Sequence, residues 1–381
     1  MLKGGVNMIA PKLRFKADDG NDFPELEAKS LFDICEYRNK QSVGKNYVGT
    51  ENMKQNFSGL ESLDEETEMK GVCYSKGDTL MSNIRPYLRK TWKADREGVC
   101  STDVLVFHPI DVASEYLHYL IASDKFISYV MTGAKGVKMP RGDKEHMMKF
   151  SIMVPSLPEQ QKIADFLSTI DTIIEKQQAT VSAWEERKKG VMQKLFSQEV
   201  RFKADDGSDF PDWEEKEVKD VCSVATGKSN TQDKVDSGKY EFYVRSPIVE
   251  HSDKYLFDEE AVITVGDGVG TGKVFHYVNG KYNLHQRCYR MYDFMGVIGK
   301  YFFYFFSQNF YRRIKAMSAK TSVDSVRMEM ITKMKMNVPS LPEQQKIADC
   351  LSALDTVIEK QKETLEKWQE LKKGLLQQMF V

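Results

Sequence analysis

The sequence predicts an α+β protein in which two globular, mixed α/β domains are joined by two long antiparallel coiled-coil helices with an internal pseudo-two-fold. Three observations carry this expectation. The dodecamer VPSLPEQQKIAD stands at residues 154–165 and again, unchanged, at 338–349. From those points 28 of 43 positions match between residues 154–196 and 338–380 at an offset of 184, which is duplication and not chance. Ahead of each copy lies a region of short apolar runs broken by Gly, Asn and Asp, the pattern of strands and turns.

The 381 residues suffice for two domains and their connectors, and 41% hydrophobic against 29% charged residues excludes a disordered chain. No apolar run approaches the length of a membrane span, and MLKGGVNMIAPK lacks the apolar core of a secretory signal. A cytoplasmic location without a membrane partner is therefore expected. The six cysteines are scattered with no CxxC pair, so reduced thiols are expected and no metal site. A net charge of −1 argues against a uniformly basic nucleic-acid binder, yet residues 76–96 hold six basic residues against Asp78 and Asp95.

In chain order the first domain occupies residues 1–153. It opens with RFKADDGNDFP at Arg14, echoed by RFKADDGSDFP at Arg201 at an offset of 187. DVLVFHP reads as a strand, and the aromatic run 116–131 reads as a helix followed by a basic loop. A first helical spacer follows at 154–198. Pro155 and Pro158 suit its approach and first turn, Glu159 suits the positive end of its dipole, and no Gly or Pro recurs until Gly190. At about 1.5 Å per residue a helix from Pro158 to Phe196 spans roughly 58 Å. Heptad spacing places Leu167, Ile170, Ile174, Val181 and Trp184 on one seam, continued by Val191 and Leu195, with Gln177 and Lys188 as polar interruptions.

The second domain, residues 199–337, carries the strand-like runs EEAVITVG, KVFHYV and QRCYRMY and a second aromatic helical run at 298–317. The second spacer, 338–381, repeats the seam as Leu351, Leu354, Ile358, Leu365 and Trp368, then Leu375 and Met379, interrupted by Gln361 and Lys372. An apolar seam needs a partner, and each helix has the other in the same chain. Antiparallel pairing would bring the end of the second spacer back to RFKADDG. Two diverged modules held apart by a stiff rod suit a repeating partner such as DNA, whose half-sites are addressed about one helical turn apart.

VPSLPEQQKIADFL, in which a proline-flanked strand end leads into EQ..IA..L, resembles the start of the conserved helices of type I restriction-modification specificity subunits. GDTLMSNIRPYLRK and EEAVITVGDGVGTGKV are similar to the target recognition domains of that family, and the likeness covers almost the full length. The resemblance implies two recognition domains, each reading half of a bipartite, asymmetric sequence on double-stranded DNA. It implies two modification subunits that hold S-adenosylmethionine and methylate adenine. The resemblance also implies ATP and Mg in the restriction subunit of those assemblies that have one, while this chain itself is implied to be non-catalytic and without a cofactor.

Within that frame SNIRPYLRK offers Arg85, Arg89 and Lys90 to phosphates or guanine edges, and Ser82, Asn83 and Tyr87 to bases or backbone. A solvated basic turn with Tyr87 packed inward is the rival reading. GAKGVKMPRGDK adds Lys135, Lys138 and Arg141 as a backbone clamp. In the second domain Arg245 and Ser246, Thr271 and Lys273, the donor-rich His285, Gln286 and Arg287, and Lys320 and Thr321 are candidate contacts. GDGVGTGKV misses the phosphate-loop spacing, and Val274 stands where Ser or Thr must reach magnesium. The helix faces and the PEQQ segments are candidate docking sites for partner subunits. No [DNS]PP[YFW] methyl-transfer tetrapeptide and no HExxH occurs. Two alternatives remain open: the recognition subunit of a related bipartite methyltransferase-nuclease, and a coiled-coil scaffold that does not read DNA.

Overall fold

The computed structural model describes residues 11–63, 65–268, 270–317 and 325–380. The chain forms two compact units, residues 1–178 with 363–381 and residues 179–362. Two long helices, Leu157–Phe196 and Leu341–Met379, each contribute one stretch to each unit.

In the first unit an antiparallel sheet has the order Cys35–Arg38, Val104–Pro109, Thr79–Ser82, Thr91–Lys93. Its Val104–Phe107 run is buried throughout, as expected of a central strand covered on both faces. A three-stranded sheet, Gln41–Gly44, Met69–Tyr74, Gly98–Cys100, closes a smaller core around Val48, Val72 and Leu80. The aromatic run expected as one helix is two, Ser114–Ile121 and Asp124–Thr132. Ser123 restarts the chain by accepting Phe126 N–H on its hydroxyl, a capping bond that competes with helix continuation.

The second unit is built on one six-stranded sheet, ordered Ser223–Thr226, Cys288–Tyr292, Phe257–Val265, Phe275–Leu284, Tyr240–Tyr243, Glu250–Ser252. All pairings are antiparallel except that between Tyr240–Tyr243 and Phe275–Leu284. The second aromatic run forms a single helix, Gly299–Met317, whose Phe302, Phe306 and Phe310 lie in the core. The described residues of GDGVGTGKV, 266–268 and 270–274, lie between the strands Phe257–Val265 and Phe275–Leu284. Gly272 there has φ +65, a conformation that favours glycine, and a Cβ on it would also stand 2.0 Å from Ile314 Cδ1 on the helix.

The duplicated motif is an internal clamp, built alike in both units. A two-stranded ribbon, Glu27–Ser30 with Ser151–Val154 in one unit and Glu214–Glu217 with Lys335–Val338 in the other, delivers the chain to the helix. Glu159, 1% exposed, accepts Arg14 Nε at 3.1 Å and Nη2 at 2.6 Å. Glu343, 0% exposed, accepts Arg201 at 3.0 and 2.8 Å and Trp213 Nε1 at 2.9 Å. The next residue ties down the aromatic helix: Gln160 accepts Ala113 N–H at 2.9 Å, and Gln344 accepts Ile298 N–H at 2.8 Å. Lys162 and Lys346 donate to the carbonyls of Lys16 and Lys203 in the RFKADDG segments. Glu and the first Gln of PEQQ are thus committed inside each unit, and of these four residues Pro158 and Gln161, with Pro342 and Gln345 in the second copy, are the exposed ones.

Within each unit the two helix stretches run antiparallel. In the first, Ile163 and Leu167 share a core with Leu376, Met379 and Phe380, and Asp171 pairs with Lys372 at 2.5 Å. In the second, Met192 and Leu195 share a core with Ile347 and Leu351, Lys188 pairs with Asp355, and Glu185 pairs with Lys362 at 2.6 Å. Lys188 and Lys372 therefore bridge to the facing helix rather than interrupt the seam. Leu167, Ile170, Val181, Leu351, Ile358 and Leu365 are buried, while Ile174, Trp184, Leu354 and Trp368 are half-buried. The seam is not purely helix on helix, since Leu167 and Leu351 belong to the globular cores. Lys12 and Leu13 N–H donate to Gln378 C=O at 2.9 and 3.3 Å, so the second helix does return to the segment before RFKADDG.

Candidate nucleic-acid interface

In the first unit the two basic segments singled out in the sequence are one surface. Arg85 N–H donates to Pro140 C=O at 2.8 Å, and Ile84 and Arg141 form a β-bridge. Lys135 and Arg141 exchange both backbone hydrogen bonds at 2.9 Å, closing 136–140 into a tight loop. Arg85 and Arg89 hold left-handed φ values of +52 and +55 on either side of the turn Pro86–Leu88. Such conformations are costly for residues with a Cβ and persist because neighbours fix them.

The side chains divide by burial. Tyr87, Lys135, Lys138 and Arg141 are exposed, so Tyr87 is not packed inward. Lys135 pairs with Asp143 at 2.7 Å, Arg141 with Asp103 at 3.2 Å and Arg89 with Asp124 at 2.7 Å. The Lys135 ammonium, with a backbone N–H, holds Asp143 down to about 2. Lys138 has no ion pair among the described residues. Ser82 and Asn83, expected to be presented to DNA, are buried at the strand end, and the Ser82 hydroxyl donates to Ile84 C=O at 3.2 Å. Lys90 is spent on Thr50 C=O at 2.7 Å.

In the second unit Asp267 gathers two cations, Arg245 at 3.2 Å and Arg287 at 3.5 Å. Both guanidiniums remain exposed and held in place, and Gln286 beside them is tied to Asn230. His285 is buried instead of presented. Burial first, then Arg245, lowers its pKa, and its Nδ1 accepts Arg287 N–H at 3.1 Å. Thr271 is also buried, donating to Gly268 C=O at 2.5 Å, and Ser246 accepts Ile248 N–H at 3.0 Å. Lys273 is exposed over the Tyr311 ring at 5.1 Å. Lys320 and Thr321 lie outside the described residues.

Sequence reasoning missed two members of this surface. Lys228 is exposed and without an ion pair among the described residues, and its neighbour Ser229 forms a β-bridge with His285. Asp267 orients both arginines. Neither had a local signal, because strand pairing alone brings residues 228–230 to residues 285–287. The chemistry available in each unit is that of fixed cations with exposed ends, suited to phosphate oxygens and base edges. Among the described residues no group of three or more His, Cys, Asp or Glu is placed to hold a metal ion, and no helix is long and apolar enough to cross a membrane.

Two mixed domains, each followed by its own long helix and each bearing a cationic loop surface, define a duplicated DNA-recognition subunit. The family described as Type I restriction modification DNA specificity domain matches the chain twice, at residues 24–182 and 211–367. The chain belongs to that family and is a type I restriction-modification specificity subunit. It is similar to the Type I restriction enzyme MjaVIII specificity subunit of Methanocaldococcus jannaschii, 26% identical over 71% of this chain and 72% of that one. It is also similar to the putative MjaX specificity subunit of the same organism, 24% identical over 93% of each. The crystal structure of the type I S subunit from M. genitalium has the same fold, with a TM-score of 0.62 at 13% identity over 98% of this chain and 99% of that one.

Proposed function

We propose that the chain directs an adenine methyltransferase to a split, asymmetric DNA sequence, each recognition domain reading one half. The domains are residues 1–153 and 199–337, and the spacers 154–198 and 338–381 set the distance between half-sites and dock two modification subunits. Those subunits supply S-adenosylmethionine and flip the target base, and restriction subunits, where present, add ATP and Mg. The chain contributes readout and positioning in the cytoplasm.

One observation carries this reading. The clamp from buried Glu159 or Glu343 to its arginine is kept in both units while the cationic surfaces differ, which is what two addresses on one scaffold require. In the first unit the contacts are assigned to Arg85, Tyr87, Arg89, Lys135, Lys138 and Arg141. In the second they are assigned to Lys228, Arg245, Lys273, Gln286 and Arg287. Sequencing the methylome of cells carrying the chain and its modification partner tests the scheme. Adenine methylation at a bipartite motif is expected, and a continuous palindrome would overturn it. Phosphate contacts should also make affinity fall steeply with salt.

A further inference from the structure

The loop 136–140 carries an apolar tip that the fold does not use. Val137 is 103% exposed and Met139 45%, although Gly, Pro and three cations make up the rest of the segment 135–141. A lone surface valine is ordinary. This one stands on a built support. The loop is stapled at its base by the two Lys135–Arg141 backbone bonds and at its side by Arg85 N–H to Pro140 C=O, and Gly136 turns it with φ +97. Lys138 beside the tip is exposed and has no ion pair among the described residues, and Lys135 and Arg141 at the base keep exposed side chains although they pair with Asp143 and Asp103, so the partner that suits this loop is polyanionic.

An apolar group carried into a DNA groove by cations that grip the phosphates has one apolar partner on a base edge, the C5-methyl of thymine in the major groove. We propose that Val137 is a specificity-determining residue that contacts a thymine methyl in the half-site read by the first domain. The proposal rests on the DNA-reading function above. It adds a base preference to a loop whose cations alone would bind any sequence.

The test uses the full chain in complex with its modification subunits and duplexes bearing the methylome-defined target. Each thymine of the first-domain half-site is replaced in turn by deoxyuridine, which removes only the methyl. The unsubstituted chain should lose about fourfold in affinity at one position, the effect of one buried methyl group. Val137→Ser should bind the thymine duplex about fourfold more weakly and be indifferent to that deoxyuridine. Lys138→Ser should weaken target and scrambled duplexes alike, with a shallower salt dependence. The proposal is overturned if no deoxyuridine produces a loss that Val137→Ser abolishes, or if Val137→Ser weakens all duplexes equally. Equal binding of target and scrambled DNA by the unsubstituted complex would instead defeat the underlying function.

Discussion

Lys372 Nζ lies 2.5 Å from Asp171 Oδ1, and the other carboxylate oxygen accepts the Tyr119 hydroxyl at 2.8 Å. The second unit repeats the triad from the matching positions, Lys188 with Asp355 and Tyr304 Oη to Asp355 Oδ2 at 2.6 Å. Each lysine also lies over its tyrosine ring, at 5.6 and 5.0 Å. In both cases the lysine comes from one long helix and the aspartate from the other. A charged group on a largely apolar seam fixes which residues can face each other, because slippage leaves a desolvated charge unpaired.

Removing one member should therefore cost more than removing an exposed pair. Asp171→Ala is expected to lower stability by about 1–3 kcal/mol, since Lys372 is only 19% exposed. Glu185→Ala, in the half-exposed pair with Lys362, should cost under about 1 kcal/mol. Urea unfolding of both variants decides the order. Equal effects would mean that the triad is only surface decoration.

The two clamps should differ in tolerance. Glu159 has Arg14 as its side-chain partner, whereas Glu343 has both Arg201 and Trp213. Arg14→Met leaves a buried carboxylate without a counter-charge and is expected to destabilise by roughly 3 kcal/mol. Arg201→Met should cost less, because the indole N–H still donates. Adding Glu159→Gln to Arg14→Met should recover part of the loss. Thermal melts of the three variants measure this.

Beside the first triad, burial and then repulsion from Lys372 and Lys93 push His118 down to about 3, with nearby Glu115 opposing. Unfolded, an imidazole titrates near 6.5. Between those values the unfolded chain binds the extra proton, so stability must fall as pH drops from about 6.5 toward 3. The contribution is on the order of 1 kcal/mol per pH unit. Unfolding midpoints at pH 7 and 4.5 should fall further for the natural chain than for His118→Gln, and parallel falls would exclude this group as the cause.

The bond from Lys12 N–H to Gln378 C=O bears on chain order. A chain opened near Ser197 and rejoined by a short linker between residues 380 and 11 should fold with a similar melting temperature. Failure to fold would mean that the helix-to-arm connection at residues 197–201 must be covalent.

Much of the scaffold was legible because its signals are local or repeated. Heptad spacing, the capping prolines and the identical dodecamers are properties of consecutive residues, and the helices begin three residues into each dodecamer and end at Phe196 and Met379, the last matching residue and the residue before it. The role of PEQQ was not legible. Nothing in its spelling says that Glu159 meets an arginine at position 14. The candidate interface was legible as charge and not as exposure: Ser82, Asn83, Thr271 and His285 are turned inward, and Lys90 is tied to a carbonyl.

By itself the sequence determined that this is a duplicated protein with two dissimilar domains and two like helices, because periodicity and identity survive without any knowledge of contacts. Only the tertiary structure decided which cations stand free, that the seam lysines bridge to the facing helix, and that Val137 projects from a stapled loop. Those outcomes depend on pairings between residues far apart in the chain. A side chain's exposure is set by what the rest of the fold brings against it, and spacing along the chain does not carry that information.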